Sequence, residues 1–387
     1  VIEVTVSAKG AARWQRGHPW IYRTDVAREP PEAGPGIATV HDRRGRFLGR
    51  ALYSPASEIR LRMLARDEVP IDTAWWRSRI AEALARRGAI PATAYRVVHA
   101  EGDGLPSLVV DRYGPWAVAQ LLSAGLEAVR ADVLAAIRAV LEPEGVLLRN
   151  DAAVRRHEAL PLEVEAVFGA VPDEVEVAED GVRYLAAPRS GQKTGAFLDQ
   201  RENRRLAAEH THSGGRALDV FTYHGSFALH LAGRAASVLA VDQSADALAR
   251  GARNAALNGL TNVRWREANA FDLLRELDQA GERFDTIVLD PPAFAKSRDS
   301  VPRALAGYKE VNLRAMRLLA PGGMLFTCSC SYHISRAIFA GMLADAAADS
   351  GRRLQLVAWT GAAADHPELV TVPETGYLKG ALLQVVE

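Results

Sequence analysis

From residue 188 onward the chain alternates short apolar runs with stretches of helical period, and that alternation constrains the fold more than any other feature. The apolar runs fall at Ala217–Phe221, Val238–Val241, Val263–Trp265, Thr286–Leu289, Met324–Cys330, Leu354–Trp359 and Leu382–Val386. Helical spacing fills the gaps at Ser226–Ala232, Ala245–Asn258, Ala304–Leu319 and Ile334–Ala348. Buried parallel strands read as continuous apolar runs, and crossover helices cover both faces of the sheet they connect. No helical pattern lies between the last two runs, which predicts an antiparallel pair at one edge. The expected fold class is α/β, with a Rossmann-like C-terminal domain built on a mostly parallel seven-stranded sheet.

The upstream texture differs. Residues 1–70 show short alternating runs broken by turn residues such as Arg43-Arg44-Gly45, a pattern that predicts a small β-barrel. After Pro70, Asp72 or Thr73 can cap a helix running to about Arg87, with Gly88 ending it. Further on, Ser107–Val110 and Trp116–Leu122 flank a hairpin signal, a helix is expected from about Leu126 to Leu141, and a turn falls at Glu179-Asp180-Gly181. These features predict a central α+β domain. The expected boundaries are 1–70, 71–187 and 188–387.

The net charge is zero, from 47 basic and 47 acidic residues, which argues mildly against a nucleic-acid partner. The balance is uneven, however: residues 1–70 carry 12 Lys/Arg against 8 Asp/Glu. A basic N-terminal piece can hold phosphate locally. Cys328 and Cys330 are the only cysteines, too close together to staple a fold, and no metal-ligand set is apparent. Val1–Gly10 lacks the apolar core of a signal peptide, and no window reaches the roughly 20 apolar residues of a membrane span. A cytoplasmic location is the expectation, with no membrane partner.

In open α/β sheets ligands sit beyond the carboxyl ends of the strands, and three of those ends carry suitable residues. The first runs Asp219-Val220-Phe221-Thr222-Tyr223-His224-Gly225-Ser226-Phe227. Here Asp219 can take a cationic amino group and Gly225 permits close backbone approach. Phe221, Tyr223, Ser226 and Phe227 lie around them. The second end, Asp242-Gln243, places a carboxylate for two ribose hydroxyls. The third, Asn269-Ala270, can bracket an adenine edge, or Asn269 can simply cap a helix. A diphosphate would want a glycine-rich loop, which is absent. Adenosine joined to an amino acid fits better, and S-adenosyl-L-methionine is the expected cofactor.

The fourth strand ends in Asp290-Pro291-Pro292-Ala293-Phe294, where paired prolines stiffen the backbone and Asp290 suits an exocyclic amine or a ring nitrogen. The fifth ends in Thr327-Cys328-Ser329-Cys330-Ser331. A thiolate there can attack C6 of a pyrimidine and make C5 nucleophilic enough to accept a methyl group. Cys330, nearer the strand end, is the preferred nucleophile, and Cys328 is left to packing or support.

These residues carry a resemblance. The chain resembles the PUA-domain-containing rRNA large-subunit cytosine-C5 methyltransferases over nearly its whole length. The likeness rests on Gly17-His18-Pro19-Trp20, Glu101-Gly102-Asp103-Gly104-Leu105-Pro106, Asp111-Arg112-Tyr113-Gly114, the run Gly191 to Asn203, the Asp219 and Asp290 segments, Gly307 to Asn312, and Thr327 to Ser331. The resemblance implies a class I methyltransferase domain, an RNA substrate (23S ribosomal RNA), a cytosine swung out of its stack, and a homodimer. It also implies that Lys193, Phe197 and Arg201 lie close to the cofactor, and it agrees with Cys330 as nucleophile; Asp290 and Pro291 are further candidates for cofactor contact. Many RNA cytosine-C5 enzymes have a second cysteine where this chain has Pro292, so the base that removes the C5 proton is open; Tyr308, Lys309 and His366 are candidates. Arg13, Arg16, Arg23, Arg43, Arg44 and Arg46 are candidates for gripping structured RNA through phosphates. Two other readings stand beside this one: a guanine-N methyltransferase on the same fold, and an RNA-binding assembly protein with a vestigial cofactor site.

Overall fold

Strands Val263–Glu267, Ser237–Asp242, Arg216–Val220, Phe284–Leu289, Leu319–Ser329, Lys379–Val385 and Leu354–Thr360 lie side by side in that order in one seven-stranded sheet. The computed structural model describes residues 2–88, 90–295 and 297–386. The first five strands pair in parallel, and Lys379–Val385 runs antiparallel to both of its neighbours. The expected antiparallel edge is therefore present. Helix Val301–Leu318 buries Tyr308, Val311, Ala315 and Met316 in a core cluster with Ile287, Leu289 and Leu325 of the sheet. The larger aliphatic side chains among these, such as Val311, Met316, Ile287 and Leu325, each contribute roughly 1.5–3 kcal/mol by leaving water.

By internal packing the chain divides into two units. The first comprises residues 1–177, 186–198 and 364–375; the second comprises 178–185, 199–363 and 376–387. In the first unit, a six-stranded sheet contains Ile2–Val6, Trp20–Ile21, Val26–Arg28, Gly36–His41, Phe47–Tyr53 and Leu61–Ala65. The alternating pattern there misses one helix, Ala8–Gln15, which Ser7 caps by accepting from the Gly10 amide at 3.2 Å. A five-stranded sheet follows, and helices Thr73–Arg86, capped by Asp72, and Arg130–Leu141 share its core. The helix expected from Leu126 is in fact two, Ala124–Glu127 and Arg130–Leu141, because Val129 leaves helical geometry at ψ 20. The hairpin of Leu108–Tyr113 with Trp116–Leu121 forms where the sequence signals it.

Residues 364–375, from the long loop between the last two strands, complete the first unit as a strap. Asp365 accepts from the Arg96 amide at 2.8 Å, Thr371 Oγ1 donates to the Gly17 carbonyl at 3.1 Å, and Glu374 pairs with His18 at 3.2 Å. Gly102 sits so close to the strap that an added Cβ would lie 2.5 Å from the Pro367 carbonyl oxygen. Trp20 Nε1 donates to Glu101 at 2.8 Å. Two of the motifs that mark the family resemblance thus meet each other and the strap.

Candidate active site

The second unit gathers carboxylates at the C-terminal ends of its central strands. Asp219 is fully buried; its Oδ2 accepts from the Thr222 hydroxyl and from the Ala228 amide at 2.9 Å. Among the described residues its Oδ1 has no hydrogen-bond partner. Burial pushes its pKa up to about 7; the Thr222 and Ala228 hydrogen bonds pull it down, and the Asp290 and Asp242 charges add to the rise. A buried carboxylate with an open oxygen suits a cationic ammonium group.

The turn after Asp219 is strained. Phe221 and Tyr223 have φ of +67 and +51, which side-chain-bearing residues rarely adopt. The Tyr223 amide donates to Asp242 Oδ2 at 2.9 Å, and the Ser244 amide donates to Oδ1 at 3.0 Å, so the second acid is held in place from the first turn. Gly225, at φ +85, lies against the indole of Trp265: an added Cβ would sit 2.3 Å from a ring carbon. The close approach read from the sequence is made here by that ring.

The other expected cofactor residues take several places. Ser226 and Phe227 are buried, and Phe227 packs with its ring centroid 5.6 Å from that of Phe326. Gln243 is exposed. Asn269 caps helix Ala270–Gln279, accepting from the Phe271 amide at 2.9 Å; Ala270 is buried. The capping alternative is therefore realised. Arg201 is 3% exposed and pairs with Glu202 at 3.0 Å. Lys193 and Phe197 belong to the first unit, where the lysine Nζ stands 4.7 Å over the phenyl ring.

Asp290 follows the fourth strand, and its amide faces the Val220 carbonyl at 3.5 Å; Pro291 beside it is buried. Cys328 is fully buried with Sγ 2.9 Å from Asp290 Oδ1, and Gln200 Nε2 donates to that sulfur at 3.3 Å. Burial and the Asp290 charge push the Cys328 thiol well above its usual range. Cys330 is half-buried between two fully buried serines, Ser329 and Ser331, with Sγ 3.9 Å from the Pro291 carbonyl. Of the two cysteines, the later one has access to solvent.

Each candidate base has a partner within the fold. Tyr308 is buried with its hydroxyl 2.9 Å from Ser331 Oγ, and burial raises its pKa. Lys309 pairs with Asp349 at 2.7 Å, and that contact raises its pKa. His366 lies in the first unit, buried against Asp365 at 3.0 Å. Sequence reasoning misses Thr222, Gln200, Trp265 and Lys379. The signal for the last is a lysine opening an apolar strand: it is 4% exposed.

Among the candidate RNA-contacting arginines, Arg43, Arg44 and Arg46 lie in the exposed turn after Gly36–His41. Asp42 shapes this turn by accepting from the Arg44 amide at 2.8 Å and pairing with Arg46 at 2.7 Å. Arg16 is exposed, Arg23 pairs with Glu58 at 3.1 Å, and Arg13 faces Asp25 at 3.8 Å. Among the described residues, Glu179, Asp180 and His230 could share a cation by distance alone. Arg204 already takes Glu179 through two bonds, at 2.6 and 2.7 Å.

Comparison with known proteins identifies the family of the chain. Residues 4–66 match the PUA-like domain model, and residues 96–383 match the S-adenosylmethionine-dependent methyltransferase model. The chain is 40% identical to ribosomal RNA large subunit methyltransferase I of Tolumonas auensis, covering 96% of each chain. Identity to the protein of that name from Klebsiella pneumoniae is 39%, over 98% of each. A solved protein from Streptococcus mutans, described as a SAM-dependent methyltransferase, shares the fold over all of both chains, with TM-score 0.84 and 19% identity. A methyltransferase solved with SAH bound also covers all of both chains at TM-score 0.84 and 20% identity. The chain belongs to the family of the ribosomal RNA large subunit methyltransferase I proteins, S-adenosylmethionine-dependent methyltransferases with an N-terminal PUA-like domain.

Proposed function

We propose that the protein forms 5-methylcytosine in large-subunit (23S) ribosomal RNA, with Cys330 as the nucleophile. The carrying observation is the half-buried thiol of Cys330 beyond its strand, beside the Asp290-Pro291 end of the next. Asp219 holds the cofactor's ammonium group and Asp242 its ribose, with Phe221, Tyr223 and Gly225 setting the turn between them. S-adenosylmethionine, when bound, supplies an electrophilic methyl group. The Cys330 thiolate adds to C6 of a cytosine swung out of its stack, and the electron density delivered to C5 lets that carbon take the methyl group. Loss of the C5 proton then expels the cysteine. Asp290 accepts a hydrogen bond from the exocyclic amine and so orients the ring.

The division of labour follows three segments: 1–70 grips RNA, 71–187 supports it, and 188–387 transfers the methyl group. Arg16, Arg43 and Arg44, exposed in the first, meet phosphates. A homodimer acting in the cytoplasm completes the reading. No helix among the described residues is long and apolar enough to cross a membrane.

RNA carrying 5-fluorocytidine tests the chemistry, because fluorine at C5 blocks release of the enzyme. A covalent adduct is expected with the wild type and none with Cys330→Ala; normal methylation by Cys330→Ala would sink the assignment. Mass mapping of the product nucleoside separates 5-methylcytidine from an N-methylated guanosine.

A further inference from the structure

Burial alternates along the segment that carries Cys330. Ser329 and Ser331 are fully buried, Cys330 between them is half-buried, and Tyr332 is 56% exposed. Residues two apart in extended chain point the same way, so Cys330 and Tyr332 share the outward side. Their Cα atoms stand no more than about 7 Å apart, the reach of two residues of extended chain.

The backbone under Tyr332 is held at both ends. Ser331 Oγ accepts from the Ala295 amide at 3.1 Å and lies 2.9 Å from the Tyr308 hydroxyl. The Ile334 amide donates to the Ser331 carbonyl at 3.1 Å, which closes a four-residue turn, and Ile334 is fully buried in the core of the sheet. Tyr332 and His333 form the tip of that turn, their ring centroids 5.1 Å apart and their planes at 81°. Among the described residues Tyr332 is the only exposed Phe, Tyr or Trp. From Cys330 to Ala344 the chain carries no Asp or Glu, and Arg336 is exposed, so a polyanion meets no like charge from this segment.

We propose that Tyr332 binds the RNA by stacking on the base next to the target nucleotide. The inference rests on the reading of Cys330 as facing an RNA substrate, and it adds a contact to the RNA itself. A cytosine that leaves its stack uncovers one face of its neighbour. An aromatic ring on a fixed turn beside the nucleophile supplies a substitute face, and its rigidity keeps the ordering cost low. Every base has such a face, so the contact holds the strand without reading its sequence.

Affinity for an unmodified transcript of large-subunit ribosomal RNA, measured by filter binding with the full-length protein, tests the stack. Tyr332→Ala is expected to bind about tenfold more weakly, and Tyr332→Phe within about twofold of the wild type. Tyr332→Leu, which keeps apolar bulk but no ring, should lie nearer to the alanine variant. The slope of log affinity against log salt should stay unchanged in all three, because no phosphate contact is lost. Calorimetry with S-adenosylmethionine, expected to give unchanged affinity, shows that each variant is folded. Unaltered RNA affinity in Tyr332→Ala overturns the proposal. So does an equal loss in Tyr332→Phe, which would assign the contact to the hydroxyl. A changed oligomeric state in sedimentation, with RNA affinity untouched, overturns it too and gives the ring to a protein contact. The cytosine reading fails separately, through the product nucleoside or through normal methylation by Cys330→Ala; RNA affinity reports on the stack whichever atom is methylated.

Discussion

The sulfur of Cys328 lies 2.9 Å from Oδ1 of Asp290, both belonging to the ends of adjacent parallel strands. Because burial and the carboxylate keep that thiol protonated, it serves as a permanent donor that fixes Asp290. Two cysteines one residue apart therefore differ in exposure: Cys328 is fully buried and Cys330 is half-buried. Brief alkylation at pH 7.5 is expected to label Cys330 and spare Cys328 until the protein is unfolded, as read by peptide mass spectrometry. Cys328→Ser, which keeps a donor, should retain activity to within about threefold, while Cys328→Val should lose about tenfold, the equivalent of one hydrogen bond of roughly 1.4 kcal/mol.

If Asp219 takes the cofactor's ammonium group as proposed, cofactor binding is expected to depend on pH. Its carboxyl has moved from 3.8 in the unfolded chain to about 7 in the fold, chiefly through burial. The folded state holds a proton that the unfolded state has released, so stability without cofactor falls as pH rises between these values. A cationic ligand favours the ionised form. Its affinity should climb nearly tenfold per pH unit below about 7 and level off above, in calorimetric titrations. Asp219→Asn should bind weakly and flatten the profile.

Gly225 and Gly251 enclose Trp265: an added Cβ would lie 2.3 Å from the indole at the first and 2.4 Å at the second. Gly225→Ala also meets the positive φ, and a loss of about 2–4 kcal/mol is expected in denaturant unfolding. Trp265→Leu in the same chain should recover the steric part and leave the backbone part.

Glu179 and Arg204 form an ion pair in which both side chains are 1% exposed or less. Burial opposes ionisation of Glu179, but the Arg204 charge and hydrogen bonds outweigh it and hold its pKa below the usual 4.5. The stabilisation is present above pH 4.5 and is lost as pH falls through the lowered folded value. Arg204→Met leaves a buried charge alone and should cost about 3–5 kcal/mol; Glu179→Gln with Arg204→Met should cost less than either change predicts by addition.

Arg43 and Arg44 should act through phosphates alone. Replacing both with alanine is expected to weaken RNA binding similarly for matched and scrambled RNAs. The slope of log affinity against log salt should flatten by about 0.7–0.9 per lost contact, read by filter binding or fluorescence anisotropy.

Much of the catalytic sheet is legible in the chain because buried parallel strands are apolar runs that end abruptly in polar residues. Asp219, Asp242 and Asp290 stand out for that reason. What is not legible depends on contacts between distant residues. Periodicity starts the last strand at Leu382, whereas the structure starts it at Lys379, whose charge hides it among loop residues. Gly225 reads as room for a ligand; the indole 40 positions later fills part of that room. Asn269 offers two uses in the sequence, and only the backbone of the following helix shows it capping. The His18 and Glu101 motifs carry no local sign of the strap they hold, because their partners lie hundreds of residues away.

That strap has a consequence for synthesis. A ribosome delivers residues 1–177 long before residues 364–375, which the first unit needs for its contacts at Gly17, His18 and Arg96. The part of the protein that emerges first is thus among the last to be finished. A nascent chain stalled before residue 364 should leave the Trp20 region open to protease, and one released after residue 375 should close it.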